Sequence, residues 1–262
     1  MSDTQMTQPF LEVQGARRSY GGVQALNACS LKVTKGKICG LIGPNGSGKT
    51  TLFNTITGYE KVESGSIYFQ GQEITGKSPE QIFALGVGRT FQLTKIFARM
   101  TVMENMFIAT QRREGWFKSI MRPAGSPEEL DRAVELLKFV GLLKLANAPA
   151  GSLSYGQRKL LELAYILIAD PSMLLLDEPA GGVNLSLIKQ LGEHIKYLNG
   201  LGKTFLIVEH NMDFVLSICD EVNVMSAGSV FMTGKPESVR TDPRVLDAYL
   251  GIDDFEEEPI AP

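Results

Sequence analysis

The sequence Gly43-Pro44-Asn45-Gly46-Ser47-Gly48-Lys49-Thr50 follows an apolar strand pattern and precedes a helical pattern. It matches the pattern G-x-x-x-x-G-K-[ST] at every fixed position, in the strand–loop–helix context that a phosphate-binding loop requires. Glycines allow successive backbone N–H groups to surround a phosphate, and the N-terminus of the next helix adds partial positive charge. Lys49 supplies a charge for the β- and γ-phosphates, and the Thr50 hydroxyl can bind Mg²⁺. These residues predict a nucleotide site.

The segments around this loop predict an α/β fold with a parallel central sheet. Residues 38–42 are almost continuously apolar, which is typical of a strand buried on both faces. Residues 173–176 and 204–208 have the same character, and each is followed by an acid and then by a helical pattern. Nearer the start, residues 11–14 and 30–33 alternate between polar and apolar, which predicts antiparallel strands.

A helical region is predicted between the first two buried strands. Ser126 is a natural N-cap, and it is followed by a proline and a capping-box glutamate. Apolar residues then repeat at helical spacing as far as Gly141, a natural C-cap. With residues 101–110 and 155–169, this stretch predicts a helical subdomain inserted into the sheet domain. Near the end of the chain, residues 222–233 predict a β-hairpin.

Two adjacent acids follow the second buried strand. A carboxylate at the end of a buried strand is costly unless it is paired or lies near a metal, so Asp177 is placed to hold Mg²⁺ through water. Glu178 comes next and can polarise an attacking water molecule. Taken alone, residues 177–179 are equally well a polar strand end followed by a turn. Beside a phosphate loop, they predict a site for nucleotide hydrolysis.

Composition excludes several classes of protein. The chain has 262 residues, 44% of them hydrophobic, and Lys plus Arg number 26 against 29 for Asp plus Glu. This balance argues against a nucleic-acid-binding protein. The three cysteines are far apart and predict small buried residues rather than disulfides or a zinc site. The N-terminus has no apolar signal segment. The longest apolar run, residues 160–169, is about half the ~20 residues that a membrane span needs.

A further motif narrows the function. Leu153-Ser154-Tyr155-Gly156-Gln157 precedes the 173–178 segment and heads a predicted helix, with Ser154 as N-cap and Gly156 allowing a close approach. By itself it is only a capped helix start. In this order along the chain, it resembles the signature motif of the ABC ATPase family, with Tyr155 where the commonest form has glycine. The resemblance extends from residue 10 to about residue 251.

The resemblance implies roles for individual residues. Tyr20 matches the aromatic residue that stacks on adenine, and His210 matches the switch histidine that contacts the γ-phosphate. Gln92 matches the glutamine whose loop senses nucleotide and meets the membrane partner. The implied catalytic residues are Lys49, Gln92, Glu178 and His210, and the implied Mg²⁺ ligands are Thr50, Gln92 and Asp177. The implied ATP contacts are Tyr20, Gly43, Pro44, Asn45, Gly46, Ser47, Gly48, Lys49, Thr50 and Thr51, together with Ser154, Gly156 and Gln157.

The family resemblance also implies an assembly. Two copies, or this chain and a paralogue, would enclose two ATP molecules, with Ser154 and Gly156 of one subunit facing the γ-phosphate held by Lys49 of the other. Hydrolysis would release this dimer, and the Gln92 region would pass the motion to transmembrane permease subunits. A periplasmic or surface solute-binding protein would be an indirect partner. The chain would then lie at the cytoplasmic face of the inner membrane, attached through the permease.

Residues 88–92, the Ser-Tyr-Gly-Gln motif and the stretch from residue 111 to 127 resemble the subgroup that imports branched-chain amino acids. Transporters of urea, amides or other small solutes are an alternative, and the lipopolysaccharide exporter ATPase is more distant. A soluble ABC ATPase without a transport role would be expected to show a long coiled coil, a second set of motifs or a strongly basic face. A scaffold that does not hydrolyse ATP would be expected to lack Glu178 or His210.

One position departs from the family pattern. Asn184 ends the loop of residues 180–184, which follows Glu178-Pro179, at the position where an aspartate is usual. Hydrogen bonding is kept while the charge is lost, and we expect altered coupling between the two nucleotide sites.

We expect one ABC ATPase domain, residues 10–251, of the α/β P-loop NTPase class with an N-terminal antiparallel β subdomain. Its core would be residues 10–92 and 171–251 and its helical subdomain about 93–170, with residues 1–9 and 252–262 as flexible ends.

Overall fold

The computed structural model describes residues 8–91, 96–111 and 126–250. Gln92 and the acidic tail, which carry predictions made above, lie outside these ranges, as does most of the stretch from residue 111 to 127. The strands are β1 (Leu11–Tyr20), β2 (Val23–Val33), β3 (Ile38–Ile42), β4 (Ser64–Phe69), β5 (Gln72–Glu73), β6 (Val87–Arg89), β7 (Met173–Asp177), β8 (Thr204–Val208), β9 (Glu221–Ser226) and β10 (Ser229–Gly234).

The central sheet has the strand order β10-β9-β3-β8-β7-β6. Strand β3 pairs in parallel with β8 and β9, and β7 pairs in parallel with β8 and β6. Every residue of β3, β7 and β8 is buried, which confirms the prediction made from their continuous apolar sequences. Because the strands are parallel, their carboxyl ends lie at one edge of the sheet, and this edge receives Gly43, Asp177 and Glu209.

A second, antiparallel sheet has the order β2-β1-β4-β5. It confirms the predicted antiparallel structure near the start of the chain, since β1 pairs with β2 and with β4. Its apolar face packs on the central sheet: Leu11 and Val13 belong to the same buried cluster as Leu41 and Leu206. Strands β4 to β6 were missed by the sequence analysis, because they are short and only β4 shows a partial alternating pattern.

The helices are α1 (Lys49–Ile56), α2 (Pro79–Ala84), α3 (Val102–Gln111), α4 (Pro127–Phe139), α5 (Tyr155–Leu167), α6 (Leu185–Gly200), α7 (Met212–Ile218), α8 (Pro236–Thr241) and α9 (Pro243–Leu250). Helix α4 begins as predicted, because Ser126 and Glu129 form a capping box around Pro127. It ends before Gly141, whose φ of 75° suits the left-handed position after a helix. The hairpin of β9 and β10 is also confirmed.

Helices α3, α4 and α5 cover the other face of the central sheet. Val102 of α3 and Leu137 of α4 belong to one buried cluster with Leu176 of β7 and Phe205 of β8. The helical region therefore shares a continuous hydrophobic core with the strands that end at the candidate site. The subdomain boundaries themselves stay a prediction.

Two further predictions concern cysteines and membranes. Cys29 and Cys39 are buried, Cys219 is half-buried, and all three are free thiols. Burial raises the pKa of Cys29 to about 11 and that of Cys39 to about 12, so both behave as small core residues. Among the helices in the described part of the chain, none combines the length and the apolar character that a membrane crossing needs.

Candidate nucleotide site

The phosphate loop joins β3 to α1 at the carboxyl edge of the central sheet. Gly48 precedes the first residue of α1 and has a φ of 104°, and a Cβ atom there would lie 2.3 Å from the carbonyl oxygen of Ala25. A Cβ atom on Gly43 would lie 2.1 Å from the carbonyl oxygen of Met225. Both positions therefore require glycine, because β2 and β9 approach the loop too closely for a side chain.

Lys49 points back over this loop. Its Nζ donates to the carbonyl oxygens of Gly43 and Pro44 at 2.7 and 2.8 Å, and the residue is buried. Burial lowers the pKa of Lys49, while the nearby carboxylates of Glu178 and Asp177 raise it. The ammonium group is thus held between the loop and two acids, Asp177, predicted to hold Mg²⁺, and Glu178, predicted to polarise water.

The other loop residues differ in how far they are exposed to solvent. Asn45, Gly46 and Thr50 are exposed and Thr51 is half-buried, so all four are open to a ligand at the start of α1. Ser47 is buried, and its carbonyl oxygen accepts a hydrogen bond from the N–H of Gly228 in the β9–β10 turn at 3.0 Å. The β9–β10 turn therefore holds the phosphate loop in place through this backbone hydrogen bond.

Asp177 lies at the end of β7 and forms a buried ion pair that the sequence analysis missed. Its Oδ2 is 3.0 Å from Nη2 of Arg89, and both side chains are nearly inaccessible to solvent. Nη1 of Arg89 also donates to Asn54 Oδ1 at 2.7 Å and to Thr57 Oγ1 at 3.0 Å. Arg89 thus connects the strand end of Asp177 to helix α1, which follows the phosphate loop.

Glu178 and His210 come together across two loops. Oε1 of Glu178 lies 3.0 Å from Nε2 of His210, so the predicted base and switch histidine are hydrogen-bonded. Glu178 has a φ of 47°, an unusual conformation for a residue other than glycine. Strained backbone of this kind is concentrated at functional sites, where neighbouring contacts hold it in place.

Glu209 is a further site residue that the sequence analysis did not assign. It is 2% exposed, and its carboxylate accepts from the N–H groups of Ala180, His210 and Asn211 at 2.6, 3.1 and 3.2 Å. Burial raises the pKa of Glu209, and these three hydrogen bonds oppose that rise. The residue joins the loop after Glu178 to the loop of His210. Its signal in the sequence was an acid directly after a continuously apolar strand.

The Ser-Tyr-Gly-Gln motif begins helix α5 and lies at the surface. Ser154 and Gln157 form a capping box, as its N-cap position predicts. Tyr155 is 43% exposed and lies beside the loop at Gly182, where a Cβ atom would be 3.1 Å from its ring. Gly156 permits the expected close approach, since a Cβ atom there would lie 2.1 Å from Leu187 Cδ2.

Asn184 caps helix α6. Its Oδ1 accepts from the N–H of Leu187 at 3.0 Å and from the Ser186 hydroxyl at 2.8 Å. The hydrogen bonding expected of this position is present, and its effect on coupling stays a prediction.

Tyr20 lies at the end of β1 and is 43% exposed, with the Arg18 guanidinium 5.0 Å from its ring centroid. Its predicted contact with adenine also stays a prediction.

The described residues contain no cluster of three or more His, Cys, Asp or Glu side chains that could hold a metal ion. Thr50 and Asp177 offer a hydroxyl and a carboxylate, the oxygen donors that Mg²⁺ takes together with water and phosphate oxygens. The residues present therefore fit Mg²⁺ bound together with a nucleotide.

Comparison with known protein families gives two matches. Residues 26–181 match the family described as ABC transporter. Residues 230–254, which cover β10 except its first residue and all of α8 and α9, match the family described as branched-chain amino acid ATP-binding cassette transporter.

Individual proteins are similar over nearly the whole chain. A high-affinity branched-chain amino acid transport ATP-binding protein, LivG of Salmonella typhimurium, is 41% identical over 253 residues, 94% of this chain and 99% of that protein. A probable LivG protein of Archaeoglobus fulgidus is 40% identical over 255 residues, 95% of this chain and 98% of that protein. The crystal structure of the ADP conformation of an ATP-binding cassette from an ABC transporter matches with a TM-score of 0.84 at 36% identity, covering 94% of this chain and 100% of that one.

Proposed function

The chain belongs to the ABC transporter family, and we propose that it is the ATP-hydrolysing subunit of an importer for the branched-chain amino acids leucine, isoleucine and valine. The observation that carries the ATPase activity is the convergence of Lys49, Asp177, Glu178 and His210 at one edge of the central sheet. The solute is supported by the names of the relatives and by the match over residues 230–254.

The geometry suggests how the chain's residues divide the work of hydrolysis. Lys49 and the backbone of the phosphate loop would hold the β- and γ-phosphates and balance their charge. Glu178 would orient the attacking water and accept its proton, while its hydrogen bond to His210 fixes the direction of the carboxylate. Glu209 would keep the two loops that carry Glu178 and His210 at a fixed separation. Preorganised groups of this kind lower the barrier without rearrangement at the moment of reaction.

Thr50 and Asp177 would hold Mg²⁺, with Gln92 as a further ligand. The ion would neutralise charge that develops on the phosphate oxygens. Arg89 holds the Asp177 carboxylate from the protein side, so the strand end stays ordered before an ion binds.

The proposal includes a dimer and a permease. Ser154 and Tyr155 are exposed at the start of α5, where a second ATP-binding subunit, identical or paralogous, could reach them. Ser154, Gly156 and Gln157 would then contact the nucleotide bound at Lys49 of that subunit, and Tyr20 would stack on adenine in its own chain. Residues near Gln92 would meet the permease, which would hold the chain at the cytoplasmic face of the inner membrane. A periplasmic or surface solute-binding protein would deliver the amino acid.

A urea, amide or other small-solute transporter is the second candidate for the transported molecule. The chain itself makes no contact with the solute in this scheme, so the site geometry fits each of these transporters. The test is therefore uptake of labelled leucine and labelled urea by source cells that carry Glu178→Gln, with Glu193→Gln at an exposed position of α6 as the matched control.

Loss of leucine uptake alone in the Glu178→Gln strain would support the proposed solute. Loss of urea uptake alone would assign the second candidate. Uptake of both at the control rate, in cells without another leucine importer, would contradict the proposed solute.

The ATPase and dimer parts have a separate test with the purified chain. Glu178→Gln removes the group that orients water but keeps the phosphate site, so we expect ATP binding without turnover and an ATP-dependent shift from monomer to dimer in size-exclusion chromatography with MgATP. A variant that stays monomeric at saturating MgATP would contradict the proposed dimer for the isolated chain.

A further inference from the structure

Helix α5 carries two buried charged residues, Lys159 and Glu162, on one face. They are three positions apart, which places them on the same side of a helix, and they are only 8% and 5% exposed. Burying a charge is costly unless the group is hydrogen-bonded. Each of the two forms a hydrogen bond with backbone outside its own helix, so each has a partner whose position it fixes.

Lys159 holds the backbone of Glu178. Its Nζ donates to the carbonyl oxygen of Glu178 at 2.5 Å, and the N–H of Gly181 donates to the same oxygen at 3.1 Å. On the other side, the N–H of Glu178 donates to the carbonyl oxygen of Val208 at 2.9 Å. The left-handed conformation of Glu178 persists because both peptide groups around it are bonded. That conformation sets the direction in which the carboxylate meets His210.

Glu162 holds the segment that leads to Gln92. Its Oε1 accepts from the N–H of Phe91 at 2.9 Å. The residue before, Thr90, accepts from the N–H of Asp177 through its Oγ1 at 3.1 Å. One face of α5 therefore contacts the backbone at two places, at Glu178 after β7 and at Phe91 after β6. Thr90, Asp177, Lys159 and Glu162 also line one cavity between α5 and the sheet.

We propose that Lys159 and Glu162 are positioning residues for ATP hydrolysis, which tie the Glu178 backbone and the segment leading to Gln92 to the helix that begins at Ser154. This inference rests on the proposed ATPase function. It means that a shift of α5, when Ser154 meets a partner's nucleotide, moves Glu178 of the same chain. Two buried side chains, rather than the exposed motif alone, then link the partner's site to the chain's own site.

The test uses the purified full chain and four variants. Lys159→Met and Glu162→Leu keep side-chain bulk but remove the hydrogen bond, while Lys159→Arg and Glu162→Gln keep a donor or an acceptor at the same position. An error of about 1 Å in position can cost about a hundredfold in rate, so we expect Lys159→Met to lower kcat at least about tenfold. We expect Lys159→Arg and Glu162→Gln to retain at least about a third of the kcat of the unmodified chain. KM and the Kd for a fluorescent ATP analogue should stay within about twofold.

Leu161→Ala is the matched control, since Leu161 is fully buried in α5 and belongs to the hydrophobic cluster. It should lower thermal stability at least as much as Lys159→Met while keeping most of kcat. An equal loss of kcat in Leu161→Ala at equal stability would overturn the proposal. So would a Lys159→Met variant with the kcat of the unmodified chain.

Amide hydrogen exchange separates this inference from the proposed function, because it requires no turnover. Lys159→Met should speed exchange of the Gly181 amide, which shares the Glu178 carbonyl with Lys159. If the unmodified chain had no ATPase activity, the proposed function would be contradicted. The exchange rate of the Gly181 amide would still test whether Lys159 holds the Glu178 carbonyl. Unchanged exchange in Lys159→Met would overturn the inference in either case.

Discussion

At the scale of single residues, the ion pair with Arg89 explains how the charged side chain of Asp177 is tolerated in the interior. Arg89 pairs with Asp177, bonds Asn54 and Thr57, and lies 5.5 and 5.0 Å from the ring centroids of Phe53 and Phe91. Buried ion pairs are expensive to assemble, but removing one partner is worse, because it leaves a charge without compensation. The Asp177–Arg89 pair therefore has more influence on stability than the pairs at the surface.

We expect Arg89→Met to lower the free energy of unfolding by about 3–5 kcal/mol, measured by urea denaturation. Arg89→Lys keeps the charge but loses the planar fork, so its loss should be smaller. Arg132→Met is the surface control, since Arg132 lies in exposed pairs with Glu135 and Asp170 and should cost less than about 1 kcal/mol. Equal losses for Arg89→Met and Arg132→Met would refute this account of the buried pair.

Asn184 gives a second prediction at this scale. Asn184→Ala removes the cap of α6 and should cost about 1 kcal/mol of stability. Asn184→Asp keeps the cap and adds a negative charge at a helix N-terminus, so it should be neutral or stabilising by up to about 1 kcal/mol. Urea denaturation of both variants at neutral pH checks these values. A loss for Asn184→Asp as large as that for Asn184→Ala would show that the charge, rather than the cap, controls this position.

At the scale of elements, the packing of α6 against α4 makes stability depend on pH. His194 of α6 lies with its ring centroid 4.4 Å from that of Phe139 at the end of α4. Burial lowers the pKa of His194 below its ordinary value of 6.5, and the charge of Glu193 opposes this only in part. The folded chain therefore binds this proton less readily than the unfolded chain does.

The sign of the effect follows from that difference. The neutral form of His194 contributes its full stabilisation above the pKa of this residue in the unfolded chain, near 6.5. This stabilisation is lost as pH falls through the lower pKa of His194 in the folded chain. His194→Gln cannot take up a proton, so we expect the stability of the variant to fall less than that of the unmodified chain below about pH 6.5. Urea denaturation across this range measures the difference. A difference between the two proteins that does not change with pH would contradict the assignment.

At the scale of the whole molecule, the candidate site depends on both sheets and the helical region. Strand β2 approaches Gly48, the β9–β10 turn supports Ser47, and α5 contacts Glu178. A ligand that binds the folded chain at this site, and not the unfolded chain, would stabilise the whole fold. At a hundred times its Kd, a ligand adds about 2.7 kcal/mol. In a domain of this size, 1 kcal/mol corresponds to about 2–4 °C in Tm.

We therefore expect saturating MgATP to raise Tm by about 5–10 °C in a thermal denaturation experiment. Lys49→Ala should abolish most of this rise, because it removes the charge that meets the phosphates. Lys196→Ala, at an exposed position of α6, is the matched control and should keep the full rise. An undiminished rise in Lys49→Ala would place the nucleotide elsewhere.

The sequence alone predicted the parts of this protein that depend on local chemistry. The strand–loop–helix arrangement around residues 43–50, the three buried strands, the caps at Ser126 and Ser154 and the C-terminal hairpin were all predicted correctly, because each depends on residues close together in the chain. The family motifs further assigned Asp177, Glu178 and His210 from their order. The structure places Glu178 and His210 in contact, and their catalytic roles stay predictions.

Only the tertiary structure decided which distant residues share a contact. The pairing of Arg89 with Asp177, the Glu209 link between two loops and the hold of Lys159 on Glu178 join segments 88, 29 and 19 residues apart. Short strands such as β6 become strands because a neighbour pairs with them, so their own sequence carries little signal. Local propensity acts over a few residues, whereas a buried charge takes its partner from whatever the folded core places beside it.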